Sequence, residues 1–110
     1  MKTVTEILIE ARNLISEPER WTQIFYSRDA LGYRTEWDSP TAVCWCSAGA
    51  IAKVVGATSG QSPMDNALFV RARAELRAAT GSDNIQHFND THNHAEVMGM
   101  FDRAITKRQV

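Results

Sequence analysis

The segment from Ala42 to Val55 constrains this chain more than any other. Lys53 is its only charged side chain. Small and apolar residues surround it at every helical angle, so a helix here has no face suited to water and belongs at the centre of a bundle. Ser39-Pro40 just ahead reads as a helix start, with serine as N-cap and proline at the first helical position. Gly56 is placed to end the helix. Gly49 costs about 1 kcal/mol of helix propensity relative to alanine. That cost makes sense where another element packs tightly against it. Cys46, Gly49, Ala50 and Lys53 share one face and outline a narrow groove of small residues.

The chain has 110 residues, 44% of them hydrophobic, which is enough for one core and too few for two. A single domain over residues 1–110 is expected. Twelve Lys and Arg face thirteen Asp and Glu, for a net charge of −1. That balance argues against a strongly basic nucleic-acid binder and against an acidic disordered tail. No apolar run approaches the roughly 18–20 residues of a membrane helix. The stretch Met1-Lys2-Thr3-Val4-Thr5-Glu6 lacks the apolar region of a signal peptide and carries an early acid. Cys44 and Cys46 are the only two cysteines, far from the density of a secreted disulfide scaffold. On a helix, residues two apart point about 200° from each other, so no bridge is expected between them. The expectation is two reduced thiols in the cytoplasm, each behaving as a small buried hydrophobe.

Three further helices are legible. Thr3-x-x-Glu6 has the form of a capping box. Val4, Ile7, Leu8, Ala11, Leu14 and Ile15 then make one apolar stripe, which Pro18 ends. Ser62-Pro63 repeats the start signal, followed by a stripe of Leu68, Ala72, Leu76 and Ala79 and a stop at Gly81. The last helix begins near Asn93, spaced as a box with Glu96. Its inner face is Val97, Met98, Phe101, Ala104 and Ile105, and Lys107 and Arg108 suit its C-terminal dipole. Between the first two helices, Gln23–Tyr26 and Tyr33–Glu36 are aromatic-rich and lack helical period. Ser27–Gly32 between them reads as a turn, giving a small β-hairpin. The expected fold is mainly α: a compact four-helix domain with a small β-hairpin between helices 1 and 2.

Several strings in this order resemble a family of small bacterial and phage proteins, a domain of unknown function. They are Pro18-Glu19-x-Trp21-x-Gln23, Arg28-Asp29-x-x-Gly32, Ala42-x-x-Trp45-Cys46-x-x-Gly49-Ala50, Phe88-Asn89-Asp90, and Ala95-Glu96-Val97 followed by Phe101-Asp102-Arg103-Ala104. The resemblance spans nearly the whole chain. It implies a small domain in a bacterial or phage setting, with no established activity. Phe88 departs from the pattern, where tryptophan is more typical, and Cys44 and His94 have no assigned place in it.

Four kinds of chemistry are worth weighing. Cys46, His94 and Asp90 have the residue types of a nucleophile, a base and an orienting carboxylate. Against this, a helix starting at Pro40 puts Cys46 in the second turn, beyond most of the dipole, and no nucleophile elbow is present. The plainer reading is a buried thiol and a helix-start histidine. His87, Asp90, His92 and His94 cluster within eight residues and the cysteines offer thiolates, but the spacing matches no zinc pattern. No metal or other cofactor is expected. Arg71, Arg73 and Arg77 lie on the third helix, with Arg71 four residues before Glu75 as an ion pair. They make no basic stripe, which argues against nucleic acid.

Protein binding has the best support. Trp21, Phe25, Tyr26, Tyr33 and Trp37 concentrate in the hairpin segment beside Arg28 and Arg34. Aromatic and arginine side chains together have the composition of interface hot spots. Closing the core of a small protein accounts for most of these rings, which leaves some for a partner. Trp21, Tyr26, Arg28, Tyr33, Arg34 and Trp37 are the candidate contacts for a protein partner or for self-association. The sequence thus points to a non-catalytic, cytoplasmic protein-binding or regulatory module, with a phage product acting on a host protein as one concrete version. The alternative is a small thiol-dependent hydrolase using Cys46 and His94.

Overall fold

The computed structural model describes residues 2–109. It is mainly helical, with five α-helices and a small three-stranded sheet among those residues. In chain order these are α1 (Val4–Leu14), β1 (Ser27–Arg28), β2 (Arg34–Thr35), β3 (Cys44–Trp45), α2 (Ser47–Val55), α3 (Ala67–Thr80), α4 (Ile85–Thr91) and α5 (His94–Gln109). Two 3₁₀ turns, Pro18–Arg20 and Pro63–Asp65, link them.

The apolar segment is indeed the interior post, but a shorter one than its sequence suggests. Ser47 through Ala52 are all buried, and α2 packs against α1, α3 and α4. Around it, α1 contributes Ile7, Leu8 and Ala11, α3 contributes Phe69, Ala72 and Leu76, and α5 contributes Val97, Met100 and Phe101. The caps follow the local signals. Thr3 and Glu6 form a complete capping box. Asn93 and Glu96 exchange backbone-to-side-chain hydrogen bonds of 2.8 and 3.0 Å. Gly56 and Gly81 end α2 and α3 with positive φ, where a side chain would be strained.

Four expectations are corrected. Ser39-Pro40 does not start a helix. It lies in a turn closed by Ala42 N–H donating to Ser39 C=O, and the helix begins several residues later with Cys46 as N-cap. The reason is tertiary pairing: Val43 N–H donates to Arg28 C=O and Cys46 N–H to Tyr26 C=O, so Cys44–Trp45 joins a sheet rather than a helix turn. The C-x-C pair is therefore extended, not helical, and side chains two apart share a face there. Both thiols are free and buried.

The hairpin is the second correction. It lies between α1 and α2 as expected, but β1 is Ser27–Arg28, and Gln23–Tyr26 is irregular. β1 is central, antiparallel to β2 on one side and to β3 on the other. Third, Ser62-Pro63 opens only a 3₁₀ turn, and Asn66 caps α3 by accepting from Phe69 N–H at 3.0 Å. Fourth, there are five helices among the described residues, not four. The additional one, α4, buries only Ile85 and Asn89, so it has no apolar stripe to betray it.

Gly49 does sit where another element presses close. A Cβ built there would lie 2.0 Å from the Tyr26 carbonyl oxygen and 2.9 Å from its carbon. Both are backbone atoms and cannot swing aside. Gly49→Ala should therefore lose about 3 kcal/mol of stability, against a small gain from helix propensity. Urea denaturation measures this, and an unchanged midpoint would show that the 21–26 segment yields freely.

Candidate functional site

The irregular stretch Trp21–Tyr26 is held against α4 and the N-terminus of α2 by one buried side chain. Asn89 is fully buried. Its Oδ1 accepts from Trp21 Nε1 at 2.8 Å, from Ser47 N–H at 3.0 Å and from Ser47 Oγ at 2.7 Å. An indole N–H and a backbone N–H can only donate, so the amide orientation is fixed. Its Nδ2 donates to Thr22 C=O at 3.0 Å and to Asp90 Oδ1 at 3.1 Å. Gln23 Nε2 adds bonds to the carbonyls of Asn89 and His92. From the other side Arg28 reaches Thr22 Oγ1 at 2.8 Å, Gly32 C=O at 3.0 Å and Gln23 C=O at 3.2 Å.

This bracing holds a strained residue. Ile24 has φ of +80°, the only non-glycine with positive φ among the described residues. For a β-branched side chain that is an outlier, costing on the order of 1–3 kcal/mol. Its N–H donates to Asp90 Oδ1 at 2.9 Å, and its side chain is 68% exposed. Next to it opens a hollow of about 290 Å³ lined by Ile24, Phe25, Tyr26, Cys46, Gln86 and Asp90.

Cys46 and Asp90 thus line one hollow, but His94 is engaged elsewhere. His94 Nε2 donates to Ile15 C=O at 2.8 Å, and its ring packs on Trp21 with centroids 5.6 Å apart. Among the described residues no hydrogen bond joins the Cys46 thiol and the His94 ring. The placement of Cys46 corrects the expectation of a second-turn residue: it is the N-cap itself, and its sulfur accepts from Gly49 N–H at 3.3 Å. The helix terminus favours thiolate there, yet burial dominates. With the residue only 5% exposed, loss of hydration pushes the thiol up from its usual 9.0 to about 11. At neutral pH the group is a protonated thiol.

The histidines do not converge. His92 ends α4 with Nδ1 donating to Phe88 C=O at 2.8 Å and its ring stacked on Phe88, while His87 is exposed. Among the described residues no three His, Cys, Asp or Glu side chains are grouped to hold a metal ion. On α3, Glu75 pairs with Arg108 of α5 at 3.1 Å rather than with Arg71. No helix of the described residues is long and apolar enough to cross a membrane.

The aromatic set divides. Trp37 is 4% exposed, its Nε1 donating to Ala57 C=O at 2.7 Å, so it is a core residue and not a partner contact. Trp21 is half-buried and tied to Asn89. Tyr26 is half-buried, packed edge-on against Trp37, and its hydroxyl accepts from Gln86 Nε2 at 3.2 Å. Tyr33 is 69% exposed. Arg28 and Arg34 both lie over the Phe25 ring, at 4.7 and 5.9 Å from its centroid. Sequence reasoning missed Ile24, Leu31 and Val43 as exposed apolar side chains, and Asn89 as a hub. The Phe88-Asn89-Asp90 string was the available signal for Asn89, but its residue types suit turns and caps equally well.

Two outcomes follow from this geometry. Asn89→Ala leaves the Trp21 and Ser47 donors and the Thr22 carbonyl without their partner and should cost about 4 kcal/mol. A thermal melt reads the loss, and the Trp21 environment should change with it. The second concerns pH. A thiol whose folded pKa is raised keeps its proton after the unfolded chain has lost it, so stability should fall as pH rises from about 9 to about 11. The loss should reach about 2–3 kcal/mol. Cys46→Ser should abolish that component, as seen by comparing urea midpoints of the two proteins across this range.

No curated protein and no solved structure matches the chain. Residues 1–107 match the model of a family of unknown function (DUF6197), which agrees with the uncharacterised character of the family its motifs resemble. The chain belongs to that family.

Proposed function

We propose that this chain is a non-catalytic protein-binding module of regulatory character. The observation that carries the reading is Ile24. An exposed isoleucine is held at positive φ by a buried hydrogen-bond hub, although its side chain contributes little to the core. Strain of this kind persists where a surface has to be presented in one shape. Its neighbours in the chain support the reading. Leu31, Tyr33 and Val43 also stand exposed, so four of the five exposed large apolar side chains among the described residues fall between residues 24 and 43. Arg34, exposed and next to Tyr33 in the chain, adds a cation to this stretch. Apolar and aromatic groups bordered by arginine have the composition of an interface.

Of the residues singled out from sequence, Tyr33, Arg34 and the exposed edge of Tyr26 remain as contacts, with Ile24, Leu31 and Val43 added. Trp21 and Arg28 act by positioning the loop. We place the module in the cytoplasm, and the bacterial or phage character of the resemblance favours a phage product acting on a host protein. Thiol-dependent hydrolysis has one observation in its favour, the opening of a hollow onto Cys46. The protonated thiol and the commitment of His94 to Ile15 weigh against it.

Ile24→Gly separates fold from function. Glycine relieves the positive φ at a position with little packing to lose, so stability should rise by about 1 kcal/mol. Affinity for the protein partner should fall at the same time. Affinity capture from host lysate, using the wild-type chain beside Ile24→Gly and Tyr33→Ser, tests this. A stoichiometric partner retained by the wild type and lost by both variants is the expected result. The same partner retained equally by all three would overturn it, and so would the absence of any partner.

A further inference from the structure

The hollow beside Ile24 borders a second one across a ridge. The ridge is the Tyr26–Gln86 hydrogen bond, and both residues line both hollows. The second hollow, about 160 Å³, is walled by Met64, Phe69 and Arg73 among others. Together they make a groove with an exposed apolar side chain at each end, Ile24 and Met64. Two small hollows divided by a pair of side chains suit a chain laid across both better than a compact small molecule, which takes a single enclosed cavity.

The groove also carries opposite charges at its two ends. Asp90, half-buried, commits Oδ1 to Ile24 N–H and Asn89 Nδ2, while Oδ2 makes no hydrogen bond among the described residues. Arg73, half-buried on α3, makes neither a hydrogen bond nor an ion pair among them. Its helix neighbours Arg77 and Glu75 pair instead with Asp83 and Arg108. Partly desolvated charges left without counter-charges are complementary to a ligand that brings them.

We propose that this groove binds an extended segment of a partner protein, in which a lysine or arginine reaches Asp90 and an aspartate or glutamate reaches Arg73. The inference rests on the protein-binding reading and names the chemistry of the partner. It also gives Asp90 two roles through its two oxygens: one shapes the Ile24 loop, the other meets the ligand.

A library of short random linear peptides selected on the full chain tests it. Enriched peptides should carry a basic and an acidic residue at a constant spacing. Asp90→Asn keeps an acceptor for Ile24 N–H while removing the charge. It should bind the selected peptides about tenfold or more weakly, and its own selection should no longer favour the basic residue. Arg73→Gln should do the same for the acidic residue. Circular dichroism confirms that both variants are folded. Enriched peptides without the charge pair, or peptides indifferent to both variants, overturn the groove. If such peptides are instead lost with Tyr33→Ser, the chain still binds protein through its sheet face and only the groove fails. If no peptide is enriched on any form, the groove proposal fails, and the lysate capture decides the broader reading separately.

Discussion

One amide oxygen organises the end of this molecule that carries the Trp21–Tyr26 loop. Asn89 Oδ1 gathers an indole N–H, a backbone N–H and a hydroxyl. The donors come from two segments with different parts to play. Trp21 opens the irregular loop, and Ser47 is the first residue of the central helix. The first N–H groups of any helix lack intrahelical partners, and burying them unpaired is costly. Here the N-terminus of α2 is buried, so those donors must be met by something brought from elsewhere. Asn89 meets Ser47, and the Cys46 sulfur meets Gly49. The same arrangement explains why α4 exists as a separate short helix. Its function in the fold is to deliver Asn89 and Asp90 to this point, and it contributes little core of its own.

Gly49 completes the constraint from the other side. Because it has no Cβ, the Tyr26 carbonyl approaches the helix closely enough to accept from Cys46 N–H at 3.1 Å. The loop from Trp21 to Tyr26 is thus fixed at its end by the N-terminus of α2, and at its start by Asn89 of α4 and by β3, where the Trp45 carbonyl accepts from Thr22 N–H at 3.1 Å. A segment fixed at so many points can hold Ile24 at an unfavourable φ, because relaxing it would break several hydrogen bonds at once. The strain, the hub and the glycine are parts of one arrangement.

The same arrangement separates what is legible in the sequence from what is not. Caps and stops are readable at Thr3, Asn93, Gly56 and Gly81, since each acts within its own turn. The interior position of the Ala48–Ala52 run is readable from the lack of charge. The start signal at Ser39-Pro40 misleads because Ser-Pro is equally at home in a tight turn, and only pairing with β1 decides the fate of Val43–Trp45. No local pattern announces that pairing, since strands of two residues have no period. Asn89 is half visible. Its string stands out, but a buried hub and a helix cap use the same residue type, and the difference lies in Trp21 and Ser47, 68 and 42 positions away. Cys46 shows a similar limit. Moving the helix start by a few residues turns it from an interior thiol into an N-cap, with an altered electrostatic setting.

The final state of that thiol bears on what the site is for. A helix N-terminus and a raised burial penalty act on it in opposite directions, and burial prevails. A catalytic cysteine needs the balance reversed, with water or a base able to reach the sulfur. Here the ionisable neighbour in the hollow is Asp90, whose negative charge disfavours thiolate further. The surrounding groups are poor at moving protons but well arranged to remain still. A rigid loop and a carboxylate held through its other oxygen lose little conformational freedom on meeting a ligand, which lowers the entropic cost of the association proposed above. Rigidity of this kind suits the proposed recognition role better than hydrolysis, which needs a reactive sulfur.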